Sequence, residues 1–239
     1  MQPTPPIDAQ EIDRLRPRGG CVILAAPPIA IVGVFIAYAW LLYNGWVGRP
    51  ADGDIVSLQF EACEAAAPVV QARVEDMGLG QPEVVFEQGR LTVRAQLPAR
   101  PDAARDIAHT LSQPGELEVL DDEGSVLMTS ADIDYAGVRL DITMSPSTLV
   151  VMTEGGRDRV FDYIREHPDG KLHYRIDGAD VWSHGNQKPL GPGEIEIPPD
   201  AKDDEARIQL AASRGIALNN GPLPCPVSPL SDPTSRASQ

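Results

Sequence analysis

Residues 73–107 read RVEDMGLGQPEVVFEQGRLTVRAQLPARPDAARDI, and the changes of hydrophobic period along them decide the fold. Val70, Val74 and Met77 stand at i, i+4 and i+7, one face of a helix that Pro68 opens at a position where its missing N–H is not needed. Gly78 follows where a left-handed C-cap residue belongs. The period then shortens to two. Val84 and Phe86, then Leu91, Val93, Ala95 and Leu97, alternate with polar residues on either side of Gln88-Gly89, which predicts a hairpin over Glu83–Glu87 and Arg90–Leu97. After Pro101 the helical period returns, with Ala104, Ile107, Ala108 and Leu111 at i, i+3, i+4 and i+7, and Pro114-Gly115 stops it.

Working outward, Val56, Leu58 and Phe60 alternate with Ser57 and Gln59 as in a half-buried strand, and Glu116–Leu120 predicts a fourth strand. The order β-α-β-β-α-β is that of a ferredoxin-like split βαβ unit, spanning 54–120. Asp121–Gly124 is a turn, and a smaller α+β module is expected over 121–200. Its elements are a strand at Val138–Thr143 and a helix at Asp158–His167, stopped by Pro168-Asp169-Gly170. A hairpin around Asp177-Gly178 and a strand at Gly193–Ile197 complete it. Asp203, Asp204 and Glu205 then load the first turn of a helix reaching about Arg214, where acidic residues complement the helix dipole. This closing helix and a return segment make up 201–227. From Gly221 to Gln239 there are five prolines in 19 residues, so 228–239 is expected to be a disordered tail.

At the other end, no Asp, Glu, Lys, Arg or His lies between Arg18 and Arg49, and residues 21–43 read CVILAAPPIAIVGVFIAYAWLLY. A helix of that length reaches about 35 Å, enough to cross a bilayer core of about 30 Å. Trp40, Tyr43 and Trp46 cluster at its far end as interfacial rings do, and Arg14, Arg16 and Arg18 outnumber Arg49 alone beyond it. These features predict a cytoplasmic tail (1–20), an uncleaved signal anchor (21–43), a short stalk (44–53) and an extracytoplasmic remainder. A cleaved signal peptide is the alternative; no small-x-small site directly follows the run. The fold class expected is therefore α+β behind one N-terminal transmembrane helix.

Charge narrows the partners. The 239 residues carry a net charge of −15, and those beyond Arg49 carry −16, with no Lys/Arg cluster. Such a surface repels phosphate backbones, so nucleic acid is not expected as a partner. Signatures of catalysis are missing too: the sequence has no nucleophile elbow, Walker loop, HExxH or CxxC, so no enzyme and no cofactor are expected. Three weaker patterns remain. Asp132 and Asp134 could ligate a hard cation, against a plain solvated acidic loop. His167, His173 and His184 could gather a transition metal, but without cysteine or i, i+4 spacing. Gly155-Gly156 before a helix could cradle an anion, against an ordinary turn. Cys63 and Cys225 both fall in the expected exterior, where a disulfide would persist, or they are two separate thiols; Cys21 lies at the start of the membrane segment.

The stretch 73–107 resembles the first periplasmic domain of the SecD subunit of bacterial preprotein translocase, with helix, Gly-x-x-x-Pro-x-Val, hairpin, Gln-Leu-Pro and helix in the same order. Gly155–His167 is similar to the helix of that domain's head, Tyr174–Ser183 to its hairpin, and Gly221–Val227 to the Gly-Ala-Leu-Pro-Ala-Pro segment before its second membrane helix. The resemblance covers about 54–227. It implies a base (54–120) and a head (121–200) in the periplasm, held at the inner membrane by the N-terminal helix. It also implies a non-enzymatic role in protein export, with unfolded polypeptide or translocase components as protein partners, a mobile head and an apolar groove between the modules. The sequence read here shows no second hydrophobic segment before Gln239, so the expectation is limited to the periplasmic half of that family's work. The same fold serving another envelope partner as scaffold or sensor is the alternative.

Overall fold

In the computed structural model, which describes residues 55–98, 102–186, 191 and 193–230, the alternating run Val56/Leu58/Phe60 forms β1 (Ile55–Glu61). A 3-10 turn leads into α1 (Ala67–Asp76), with Pro68 in its first turn, and Gly78 takes the left-handed conformation just past its end. The hairpin is β2 (Gly80–Glu87) and β3 (Arg90–Gln96); Gln88 and Gly89 both have positive φ, as a two-residue turn matched to strand twist requires. Asp102 precedes α2 (Ala103–Ser112), which lays Ala103, Ile107, Ala108 and Leu111 on the sheet. So far sequence and structure coincide.

The fourth strand departs from the ferredoxin-like expectation. β4 (Leu117–Leu120) exists, but it does not join β1–β3; it pairs with β5 (Val126–Thr129) and β8 (Lys171–Ile176). The reason lies in its side chains: Leu117 and Val119 are buried in the second hydrophobic core, not the first. The edge of β1 is taken instead by β11 (Ser228–Pro229), antiparallel, with Phe60 opposite Pro229 and Glu61 opposite Ser228. The first sheet thus has the order β11-β1-β3-β2. The position of a ferredoxin-like fourth strand is filled by residues from the other end of the domain. The expected disorder from 228 is corrected by the same observation, since Leu230 N–H also donates to Gln59 O at 2.9 Å and Val227 is buried in the base core. Residues 231–239 lie outside the described residues, as do the expected tail, anchor and stalk at 1–53. Among the described residues no helix is long and apolar enough to cross a membrane.

The second lobe holds two sheets, β5-β4-β8-β9 and β10-β7-β6. Here the sequence reading misplaced several bounds. The strand expected at Val138–Thr143 is β6 (Ile133–Leu140), because Asp141 ends it: its Oδ1 accepts the N–H of Thr143 (2.7 Å) and Ser145 (2.9 Å), closing a tight turn into β7 (Pro146–Met152). β7 has no clean alternation, since Val150 is the centre of a core while Thr148 is buried on the same face and bonded to Ala211 O. The next helix, α3 (Glu154–Glu166), starts four residues before the expected Asp158, because the Thr153 hydroxyl caps Gly156 N–H. β8 and β9 (Ala179–Gly185) form the hairpin around Asp177-Gly178, both at positive φ. β10 (Glu194–Ile197) joins β7, and α4 (Asp204–Asn219), capped by Asp203, runs beyond the expected Arg214. Gly215 allows this: a Cβ there would stand 2.9 Å from Gly137 Cα, so the helix lies directly on β6.

Candidate functional site

The weaker chemical patterns resolve into structural partners. Asp132 forms an ion pair with Arg159 at 2.6 Å and accepts Thr129 N–H at 3.0 Å, whereas Asp134 is exposed on β6. Burial works to raise the Asp132 pKa, but the bonds from Arg159 and Thr129 outweigh it and hold the carboxyl below its usual range. Gly156 sits against Asp132, so the helix start that might have cradled an anion already faces a carboxylate. The three histidines have separate neighbours: His167 stacks on Tyr163, His173 Nε2 lies 3.3 Å from Asp122, and His184 meets the edge of Trp182. Among the described residues no group of three or more His, Cys, Asp or Glu is placed to hold a metal ion.

Acid should therefore weaken the head. Asp122 is lowered chiefly by the Lys171 N–H, Asp141 chiefly by the Thr143 hydroxyl, and Asp132 as above. A carboxylate whose folded pKa is depressed contributes stability that is complete above its unfolded value of 3.8 and is lost as pH falls through the folded one. The urea midpoint should hold steady from neutral pH to about 5 and drop below about 4. A midpoint unchanged down to pH 3 would contradict it.

The residue that sequence reasoning missed is Arg73. No motif singles it out on α1, yet it is fully buried. Among the described residues no carboxylate pairs with it. Its guanidinium donates to six backbone carbonyls: Thr110 (3.4 Å), Leu111 (3.4 Å), Gln113 (2.5 Å) and Pro114 (3.3 Å) at the end of α2, and Ala217 (3.4 Å) and Gly221 (3.0 Å) at the end of α4. Helix C-termini leave such carbonyls without partners and carry partial negative charge, which suits a cation. Burial pulls the Arg73 pKa down to about 10, with Asp177 opposing, so it stays charged at neutral pH. Around it, Thr110 Oγ1 and Ser213 Oγ meet at 2.9 Å, and Asp76 accepts from Asn219 (2.9 Å) and Asn220 (2.7 Å). The apolar groove expected between the modules is thus replaced, among the described residues, by a seam of polar contacts.

Four of the six large apolar side chains exposed among the described residues lie on the head, the other two being Ile55 and Leu230. Tyr135 and Val138 on β6, Val126 on β5 and Ile142 at the β6–β7 turn are all exposed, Ile142 by 92%. The Asp141 bonds fix that turn, and Thr143 Oγ1 adds a further one to Asp141 at 2.7 Å. Read as part of a strand, Ile142 gave no sign of this in the sequence. Cys63 and Cys225, whose sequence reading stayed open, are joined in the structure with Cα atoms 6.3 Å apart.

No protein-family model and no curated protein matches the chain. Among solved structures it is similar to SecDF in a super-membrane-facing form, with a TM-score of 0.60 at 16% identity over 85% of this chain and 34% of that one. It is also similar to a structure of SecDF described as a membrane component that enhances protein export, with a TM-score of 0.56 at 17% identity over 74% of this chain and 99% of that one. The chain spans about a third of the length of the first and nearly all of the second. At such identities the likeness is one of fold, and the described chain has the fold of SecDF in the part that the sequence resemblance points to, the first periplasmic domain of SecD.

Proposed function

We propose that the chain is a non-enzymatic, membrane-anchored extracytoplasmic domain that acts in protein export, binding polypeptide clients or a translocase partner through its head. The observation that carries the reading is the SecDF fold, matched over most of the chain. The anchor is the apolar run 21–43, and the positive-inside pattern around it puts the acidic domain outside the inner membrane, at the periplasmic face. Ile142, held out on a fixed turn at the end of the three-stranded sheet, is the apolar contact offered to a partner.

Photocrosslinking in intact cells tests this, with a photoreactive residue at Ile142 and, as a second site on the same lobe, at Arg157. Capture of translocase subunits or of secreted proteins in transit is the expected result. Repeated capture of one envelope protein unconnected with export would instead make the chain a scaffold or sensor that has kept the fold and changed its task.

A further inference from the structure

Among the described residues two stretches of backbone carry the chain between the lobes, 113–116 from α2 to β4 and 219–222 from α4 to the return segment. The base core is built from residues before and after this pair, the head core from residues between them. Both crossings contain a glycine in the left-handed conformation, Gly115 with φ +77 and Gly221 with φ +74. That is the makeup of a two-strand hinge. Yet one side chain from the base reaches both crossings at once: Arg73 donates to Gln113 and Pro114 on the first and to Gly221 on the second, with Ala217 just before it. The crossings are also tied to each other, Leu223 N–H donating to Pro114 O at 2.8 Å, and to the head hairpin, where Asp177 Oδ1 accepts Gly115 N–H (2.7 Å) and Glu116 N–H (2.9 Å).

We infer that Arg73 is a pin through this hinge, which makes base and head move as one body. Swinging the head would pull the crossings off a buried guanidinium, leaving a charge and several carbonyls without partners inside the protein, a cost that water cannot repay at that depth. The expectation of a freely mobile head, drawn from the family resemblance, is therefore reversed for this chain. The inference does not depend on the export reading, because a pinned pair of lobes follows from the seam whatever the head binds.

Amide hydrogen exchange on the full chain in detergent reads the pin directly. The reporters are the N–H groups of Gly115, Glu116 and Leu223, compared with Leu91 and Val93 in the base and Leu172 and Tyr174 in the head. In the unaltered chain the reporters should exchange within about 10-fold of the core strands, because they open only when the whole domain does. In Arg73→Lys, whose single nitrogen cannot span both crossings as the forked guanidinium does, the reporters should lose about 100-fold in protection while the two cores keep theirs within a few-fold. Uniform loss across reporters and cores would show that Arg73 is merely a structural cation. Reporters about 1000-fold faster than the cores in the unaltered chain would overturn the pin by themselves, and that readout decides the matter if the variant does not fold.

Discussion

Gly115→Ala is expected to cost the folded chain about 4 kcal/mol, from a strained left-handed alanine of about 1–2 kcal/mol and from bonds lost when Arg73 is displaced. A Cβ at Gly115 would stand 2.6 Å from Arg73 Nη2, 2.7 Å from Ala217 O and 3.1 Å from Gly221 O. Two of those three atoms are backbone, and the third is held by three carbonyls, so nothing nearby can yield cheaply. Gly124→Ala provides the comparison, because Gly124 has φ +84 but open space where its Cβ would go. It should lose only the conformational part, about 1–2 kcal/mol. Urea unfolding of both variants measures the difference. Equal losses would mean that the crossing has room to adjust, and that the crowding around Arg73 carries little energy.

Removal of the Cys63–Cys225 bridge should be comparably severe. It spans 162 residues, and a cross-link of that span takes away much of the unfolded chain's freedom, so Cys63→Ala with Cys225→Ala is expected to cost about 4 kcal/mol. The bridge also fastens the return segment on which the base relies: Leu223, Cys225 and Val227 all pack into the base core. Counting thiols in unfolded, unreduced protein checks the premise first. The sequence has three cysteines, so one free thiol, that of Cys21, is expected, and three would show that the pair is reduced. If one thiol is found and the double variant unfolds at the same urea concentration as the parent, the bridge constrains nothing that folding had not already fixed.

How much of this was legible in the sequence depends on the range of the interaction that decides each element. The base from Pro68 to Leu111 could be read because its signals are local: a proline opening, a glycine cap, a change of period, a two-residue turn. Strand partnership is not local. Leu117 and Val119 read as a strand in either sheet, and only the burial of both beside Tyr174 and Met128 sends β4 to the head. Short bounds were lost for a different reason. Thr153 and Asp141 each act through one side-chain oxygen, whose bonds shift a helix start or end a strand by a few residues. For the candidate site the limit is sharper. Arg73 looks like any helix-surface arginine, since nothing in its neighbours along the chain announces carbonyls contributed from residues 110–114 and 217–221. The exposure of Ile142 was hidden too, because it fell within the strand expected over Val138–Thr143, which Asp141 in fact ends.

The edge strand β11 sets an order of assembly. Everything the head needs lies in one uninterrupted stretch, from Leu117 to Leu218. The base, by contrast, waits for Val227 to Leu230 to reach back across the whole domain to Phe60 and Gln59. A chain emerging N-terminus first presents β1 with an open edge until its last described residues arrive, and open edges invite pairing with the wrong neighbour. Contacts so far apart in sequence form slowly. During synthesis the lobe encoded in the middle can be complete while the lobe encoded first is still unfinished, leaving that interval as the time when the protein most needs protection from its own kind.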